Sequence, residues 1–173
     1  ILELDYESQQ QNWPRVLVLS RDYALQNRIA SYYTNLALSQ TGLMGEWLFH
    51  FYQPGPAGLF LPATQYSTPL MITFSNEAFF YLGDLNMAQH AAMLGMIFSP
   101  YHRSARLVKR LAEIHIAIGD GPAAEKYLGL LDKTLFYRKW ARQARALTAG
   151  EDMPLRKKIP SIDTVRLADD YLT

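Results

Sequence analysis

Cysteine is absent from this chain of 173 residues. Its absence excludes a disulfide framework, a metal site built on thiolates and a cysteine nucleophile. Long apolar runs are also absent, and none approaches the roughly 20 residues that a helix needs to cross a bilayer. The first residues, 1–5, lack the basic and then apolar order of a secretory signal. The remaining composition, 49% hydrophobic and 19% charged, is typical of a globular protein that folds without metals or covalent cross-links.

Positive and negative charges are unevenly distributed along the chain. The first hundred residues contain three basic side chains and seven acidic ones, whereas residues 101–158 contain thirteen basic and six acidic side chains. An anionic partner is therefore expected to bind along residues 101–158.

The clearest helical periodicity lies between residues 101 and 147. In the first helix of this stretch, apolar residues recur at steps of three and four, and charged residues follow the same rhythm on another face. Gly119 to Pro122 are predicted to end this helix and begin the next, because glycine favours the left-handed helix end and proline suits a first turn. The apolar residues are Leu107, Leu111, Ile114 and Ile118, and the charged ones are Arg103, Arg106, Arg110 and Glu113.

A third helix is predicted after the second, with Thr134 as its capping residue. Its residues separate into an apolar stripe and a basic stripe at helical spacing. The apolar stripe is Phe136, Trp140, Ala144 and Leu147, and the basic stripe is Arg138, Arg142 and Arg145.

The same pattern is weaker upstream. Ser75-Asn76-Glu77 is predicted to begin a helix, because a hydroxyl residue can cap it and an acid suits its first turn. That helix breaks at Gly83-Asp84, and the next one ends at Pro100. Earlier helices are predicted to break at Gly42 and to begin after Asn12, which can act as a cap.

Residues 52–69 break the pattern, because their prolines and glycines exclude a regular helix. We expect an ordered, irregular loop over about residues 52–74, within a helical domain formed by residues 1–150. A loop of this length is either functional or mobile. Residues 151–173 are predicted to form a polar tail, with a possible short helix at 162–172.

Two glycine-hinged segments repeat along the chain. Ala88 follows Gly83-Asp84 and Ala124 follows Gly119-Asp120 at the same distance, and the two glycines stand 36 residues apart. This pattern resembles tetratricopeptide (TPR) repeats, whose period is roughly 34 residues. The resemblance implies an all-α fold of antiparallel helix hairpins stacked as a right-handed superhelix, with the two alanines at the closest helix crossings.

A second resemblance covers residues 103–141. Ala117-Ile118-Gly119-Asp120, Ala124-Glu125-Lys126-Tyr127-Leu128 and Thr134 to Ala141 are similar to the soluble C-terminal region of an uncharacterised family of bacterial multi-spanning membrane proteins. This resemblance implies a domain anchored to a membrane, on its extracytoplasmic side, and it implies no activity. Because the chain begins at Ile1 rather than at methionine, we expect it to be part of a longer protein.

No catalytic or metal-binding motif is recognisable. The histidines are scattered, and Glu113 and His115 stand two residues apart, so they face different sides of a helix. A phosphate-binding loop and a nucleophile elbow are also missing from the sequence. We therefore expect no enzymatic activity, no cofactor and no metal, and a structural role for His115.

Basic helix faces and loop aromatics are the candidate partner-binding residues. The basic faces are either anionic sites or simply solvated surfaces, and nucleic acid is not an expected partner, because the aromatic residues among them are assigned to the core. Trp13, Trp47 and Trp140 are also expected in the core. The candidates are Arg103, Arg106, Arg110, Arg138, Arg142, Tyr52, Phe60 and Tyr66.

Three functions remain open from the sequence. The first is a non-catalytic interaction module that binds a protein or peptide segment, next to a membrane domain of the same full-length chain. The second is a ligand-binding or glycan-binding cleft that contributes to an enzyme or transporter. The third is a purely architectural cap on a membrane region.

Overall fold

The structure is a computed structural model that describes residues 1–55, 58, 60–61 and 67–148. Every regular element in these ranges is a helix, which confirms the predicted all-α class. The chain divides into two compact units, Ile1–Gln65 (unit 1) and Tyr66–Thr173 (unit 2). The boundary lies inside the segment predicted to be an irregular loop. The predicted tail, with its possible short helix, lies outside the described residues.

Unit 1 is organised around a central helix, α3. Asn27 caps the start of α3 by accepting a hydrogen bond from the backbone N–H of Ala30 at 2.9 Å. Gly42 ends it in the left-handed conformation, with φ of 72°, as the sequence predicted. The helices of unit 1 are α1 (Leu2–Gln9), α2 (Trp13–Asp22), α3 (Arg28–Thr41) and α4 (Met44–Trp47), and a 3₁₀ turn (Leu48–His50) follows α4.

Within residues 67–148, unit 2 consists of two helix hairpins and a further helix. In each hairpin a glycine with positive φ is followed by an aspartate that caps the second helix. These glycines are Gly83 and Gly119, which confirms the predicted hinges. The helices are α5 (Pro69–Tyr81), α6 (Leu85–Phe98), α7 (Ala105–Ala117), α8 (Gly121–Leu131) and α9 (Arg138–Thr148), and a 3₁₀ turn (Pro100–His102) precedes α7.

The hairpins pack through small residues, as predicted. α5 packs against α6 and α7 against α8, while α6 also contacts α7 and α8 contacts α9. Ala88 and Ala124 are fully buried, together with Ala112, in one hydrophobic cluster that also contains Phe80 and Leu128. Small side chains at these positions let the helix backbones approach closely. The right-handed superhelix itself stays a prediction.

The predicted start of α5 at Ser75 is wrong. The helix begins at Pro69, and the Thr68 hydroxyl caps it by accepting a hydrogen bond from the N–H of Met71 at 3.2 Å. Residues 75–77 are buried in the middle of the helix. Asn76 and Glu77 are tolerated there because Arg106 and Arg110 of α7 donate to them, and Ser75 donates to the carbonyl oxygen of Ile72 within the helix. The predicted loop therefore ends at residue 68 rather than 74.

The start of α9 also differs from the prediction. Thr134 does accept a hydrogen bond from the N–H of Tyr137, at 3.2 Å, but this bond closes a turn that precedes the helix. Phe136, predicted to join the apolar stripe, lies in that turn and is 90% exposed. Ala144 is buried and Trp140 is partly buried, as the stripe predicted.

Candidate functional site

A cluster of charged side chains is buried between α5 and α7. Glu77 of α5 accepts hydrogen bonds from Arg106 at 3.0 Å and from Arg110 at 2.5 Å. Glu113 of α7 accepts from Lys109 at 2.6 Å and pairs with Arg110 at 2.9 Å. We call these five residues the Glu77 cluster. Both carboxylates are paired with cations within unit 2, as buried ions require, and the three cations leave the cluster with one net positive charge.

Aromatic rings and an amide complete the surroundings of Arg110. Its guanidinium carbon lies 3.8 Å from the centre of the Phe80 ring, a cation–π distance. Its Nε donates to Oδ1 of Asn76 at 3.1 Å. Burial disfavours the charged form of Arg110, but the carboxylates of Glu77 and Glu113 outweigh it and raise the pKa above its ordinary value. Arg110 is therefore a permanently charged structural residue.

Arg106 and Arg110, two of the candidate partner-binding residues, form neither a solvated surface nor a free cationic site. Arg110 is 6% exposed and Arg106 is largely covered, because both turn towards Glu77. A carboxylate in the middle of the neighbouring hairpin makes their burial possible. Arg103 is exposed. Arg103 lies just before α7, and of these three candidates it alone is exposed to solvent.

The basic stripe of α9 lies at the surface, as predicted. Arg138 and Arg142 are exposed, and Nε of Arg138 donates to the carbonyl oxygen of Asp132 at 2.9 Å. Arg145 pairs with Glu125 at 2.8 Å and with Asp132 at 2.7 Å. Helices α7 and α9 are in contact through one cation–π pair. Nζ of Lys109 in α7 lies 4.9 Å from the ring centre of Trp140 in α9. Acidic partners therefore offset part of the positive charge on this face.

The solvent face of α6 carries large apolar side chains. Met87, Met93, Ile97 and Phe98 are between 42% and 58% exposed, and we call these four residues the α6 face. Asn86 and His90 are exposed among them, and Leu94 is partly exposed. The helix contains no Asp, Glu, Lys or Arg. This surface is unusual for a helix in water, where polar residues normally fill the outer side.

The buried side of α6 is built from small residues. Ala88, Ala91, Ala92 and Gly95 face the neighbouring helices. A Cβ atom added at Gly95 would lie 2.8 Å from Cδ1 of Leu107 and 3.4 Å from the Cα of Thr73. Small residues let α5 and α7 pack closely against α6, which leaves the large residues on the outside. The sequence contains this arrangement, but periodicity alone does not tell which side faces inwards.

Unit 1 contains a cleft of about 360 Å³. It is lined by hydroxyl side chains from α2 and α3 and by aromatic side chains from α4 and the following segment. The hydroxyl residues are Ser20, Ser31 and Thr34, and the aromatic residues include Trp47, His50 and Tyr52. This cleft brings polar and aromatic groups together as small-ligand sites do.

Two of the three loop aromatics fall within the described residues. Tyr52 and Phe60 are both exposed, and Phe60 lines a second cavity in unit 1, of about 420 Å³. Tyr66 lies outside the described residues. Trp47, predicted to be in the core, is 45% exposed, because the short helix α4 that carries it lies at the surface. The prediction for Trp47 is therefore wrong.

Histidines are separated in the described part of the chain. His115 is buried on the hairpin formed by α7 and α8, stacked on Tyr127 with ring centres 5.4 Å apart. Its Nδ1 lies 3.4 Å from Oδ2 of Asp120. No group of three or more His, Cys, Asp or Glu side chains among the described residues is placed to hold a metal ion. The stacking of His115 on Tyr127 agrees with the structural role expected for this histidine.

A family model matches residues 1–172, and its description is "Family of unknown function (DUF6057)". The chain belongs to this family. A comparison with curated proteins and a comparison with solved structures give no significant match.

Among the described residues of the DUF6057 chain, no helix combines the length and the apolar character that a membrane span needs. α6, which has no charged residue, extends only from Leu85 to Phe98.

Proposed function

We propose that this DUF6057 chain is a non-catalytic interaction module that binds an apolar helix of a partner polypeptide on the α6 face. The observation that supports this proposal is the inverted distribution of side chains on α6. Alanines and Gly95 are buried, while Met87, Met93, Ile97 and Phe98 are exposed. Contiguous exposed apolar surface on a folded protein commonly marks an interaction site.

The α6 face has the chemistry of a helix-binding surface. Fully burying a Met, Ile or Phe side chain contributes roughly 1.5–3 kcal/mol, and half of each such side chain on this face is still available. Methionine is flexible and polarizable, so Met87 and Met93 can adapt to the side chains of a partner helix. An amphipathic helix that presents apolar residues at i, i+3, i+4 and i+7 would complement this surface.

A polypeptide fits the α6 face better than a lipid surface. Helices that lie on membranes usually carry Lys and Arg on their polar side, which attract anionic headgroups. α6 has neither residue, and its exposed polar residues are Asn86 and His90. An uncharged face loses little hydration energy when an apolar protein surface covers it.

We propose that the partner helix comes from membrane-embedded segments of a longer chain and that the module lies on the extracytoplasmic side. This step rests on the resemblance to the soluble region of multi-spanning membrane proteins. The hairpins α5–α6 and α7–α8, with their glycine hinges 36 residues apart, support a TPR-like stack as the scaffold. In this proposal the stack presents α6 to the partner.

Site-specific photocrosslinking in the full-length protein tests the docking proposal. A photoreactive residue is placed at Met93 or Ile97 on the α6 face. The matched control position is Leu130, an exposed apolar residue of α8. We expect the α6 positions to crosslink to one defined peptide, identified by mass spectrometry, and Leu130 not to crosslink to it.

A charge substitution shows whether the crosslink reports binding. Ile97→Glu should abolish the crosslink at Met93, because a carboxylate would be desolvated in the interface, whereas Leu130→Glu should leave it intact. Crosslinks to a second copy of this chain alone, or to lipid alone, would contradict a helical partner. Equal labelling at Ile97 and Leu130 would contradict a site on α6.

A further inference from the structure

We infer that the cleft of unit 1 is a binding site for a neutral glycan, of a size that holds one or two sugar rings. The site lies in a different unit from the α6 face and does not depend on the proposed docking function. Its volume of about 360 Å³ is at the lower end of the range for small-ligand sites. The chemistry of its walls selects the ligand class.

Aromatic rings form one wall of the cleft. Trp47 and His50 stand three residues apart, with their ring centres 5.1 Å apart and their planes inclined by 40°. Trp47 and Tyr52 are each 45% exposed. Large rings left open to solvent inside a concavity provide an apolar surface with polar edges. The C–H face of a sugar ring matches such a surface.

Buried hydroxyl groups form another part of the lining, which we call the hydroxyl wall. The Thr34 hydroxyl donates to the carbonyl oxygen of Ala30 at 2.8 Å and lies 2.7 Å from Oγ of Ser20. A hydroxyl group has one proton and two lone pairs, so Ser20 is left as the donor in the Ser20–Thr34 bond. Its oxygen keeps acceptor capacity for a ligand hydroxyl. This wall therefore has hydrogen-bonding capacity that an apolar ligand would not use.

The aromatic wall is held in place by hydrogen bonds to α3. Oγ of Ser31 donates to the carbonyl oxygen of Tyr52 at 2.9 Å. The amide of Gln53 exchanges hydrogen bonds with the amide of Asn35, at 2.8 and 3.0 Å, and donates to the carbonyl oxygen of Leu48 at 2.9 Å. These bonds fix the segment after α4 against the buried side of α3. The cleft is thus formed before a ligand arrives, which lowers the entropic cost of binding.

The charge of the cleft favours a neutral ligand. No carboxylate is among the described residues that line it, so a cation would have no counterion there. Its charged residue, Arg21, already pairs with Asp22 at 2.9 Å. The hydroxyl groups already have partners within the protein, so an apolar ligand would cover only their remaining acceptor lone pairs, which a ligand hydroxyl group would instead bind. A polyhydroxylated, uncharged ring satisfies both walls.

Calorimetric titration of the 173-residue chain with neutral disaccharides tests the inference. The probes are maltose, cellobiose and chitobiose, with digalacturonic acid as the anionic comparison and indole as the apolar one. We expect saturable binding of at least one neutral disaccharide and weaker binding of the other two classes. Quenching of tryptophan fluorescence provides a second readout, which should vanish in Trp47→Phe and persist in Trp140→Phe.

Two substitutions separate the walls. Trp47→Ala should weaken disaccharide binding about tenfold, because stacking and apolar contact are lost. Ser20→Ala should weaken it about threefold to tenfold, as the loss of one hydrogen bond predicts. Trp47→Phe, which keeps a ring at this position, should retain most of the binding, so that loss through unfolding can be distinguished. Far-UV circular dichroism and the Tm of each variant provide the check on folding.

Three results would overturn the inference. The first is no saturable binding of any neutral disaccharide by the folded chain. The second is binding that Trp47→Ala and Ser20→Ala leave unchanged, which would place the sugar elsewhere. The third is tighter binding of indole than of every disaccharide with no effect of Ser20→Ala, which would show an apolar pocket. Because Ile97→Glu leaves this cleft intact, failure here is independent of the docking proposal.

Discussion

Arg110 of α7 donates a hydrogen bond from Nη2 to Oε2 of Glu77 in α5 at 2.5 Å, and both side chains are buried. The pair joins the two hairpins of unit 2 across 33 residues of sequence. The ion pair forms only when Glu77 and Arg110 lie opposite each other, so it specifies the relative axial position of α5 and α7. The pair therefore specifies the packing of the hairpins as well as stabilising it.

Removing the carboxylate from Glu77 should destabilise unit 2 strongly. Glu77→Gln leaves Arg106 and Arg110 with less compensation in a buried site, and breaking a buried ion pair costs about 3–5 kcal/mol. We expect the lower end of this range, because Glu113 still pairs with Arg110 at 2.9 Å. Urea denaturation measures the change in the free energy of unfolding.

The matched control for this prediction is Glu125→Gln. Glu125 pairs with Arg145 at the surface, where the loss should be about 1 kcal/mol or less. Similar losses for Glu77→Gln and Glu125→Gln would show that the buried pair has no special role.

Two glycines in helices should respond to alanine in opposite directions. At Gly95 the added methyl group would meet the buried Leu107 at 2.8 Å, and overpacking typically costs about 1–3 kcal/mol. At Gly129 of α8 nothing lies within 4 Å of the added atom, and helix propensity should stabilise the variant by roughly 0.5–1 kcal/mol. Thermal denaturation should therefore show a lower Tm for Gly95→Ala and a higher Tm for Gly129→Ala. A gain in both variants would contradict the close packing of α6 at Gly95.

Substitution of two hydroxyl residues distinguishes the observed start of α5 from the predicted one. Thr68→Ala removes the cap to the N–H of Met71 and should cost about 1 kcal/mol. Ser75→Ala removes a hydroxyl group that donates to the carbonyl oxygen of Ile72 within the helix. Such bonds add little to helix stability. Denaturant midpoints measured on both variants compare the two costs. A larger loss for Ser75→Ala would favour a helix that begins at residue 75.

The surface pair of Asp132 and Arg145 should make stability depend on acid pH. A hydrogen bond from Arg145 lowers the pKa of Asp132 below its ordinary value of 3.8. A carboxylate with a lowered pKa in the folded state contributes stability above the unfolded value, and this contribution is lost as the pH falls through the folded value. Asp132→Asn should therefore be less stable than the parent at pH 7, and the difference should shrink below about pH 3.8. Chemical denaturation between pH 2.5 and 7 measures it, and a difference that is constant with pH would contradict the pairing.

Local chemistry allowed much of the fold to be predicted. Gly42, Gly83 and Gly119 adopt the left-handed conformation at helix ends, and Asp84 and Asp120 cap the helices that follow. These features depend on residues close in sequence, so spacing and residue type are sufficient to identify them. The start of α5 was mispredicted because Ser75-Asn76-Glu77 satisfies the same local rule as Thr68.

The candidate sites were less predictable, because exposure depends on what packs against each side chain. Arg103 and Arg110 share one helical rhythm in the sequence, but Arg103 lies before the start of α7 and is exposed, whereas a carboxylate from another hairpin draws Arg110 into the interior. Trp47 has the large apolar side chain that is typical of a core residue, but α4 is too short to bury it. The cleft joins Ser20 and Trp47 from separate helices, and no spacing rule connects them.

The sequence by itself determined the all-helical class, the glycine hinges and the small residues at the helix crossings, because these follow from backbone conformation and helical periodicity. Only the tertiary structure decided which side of α6 faces inwards, where the charge of Arg110 is neutralised and which hydroxyl groups meet the aromatic wall in unit 1. Burial is a property of neighbours brought together by folding, and their identity is not encoded in the spacing of residues along one helix.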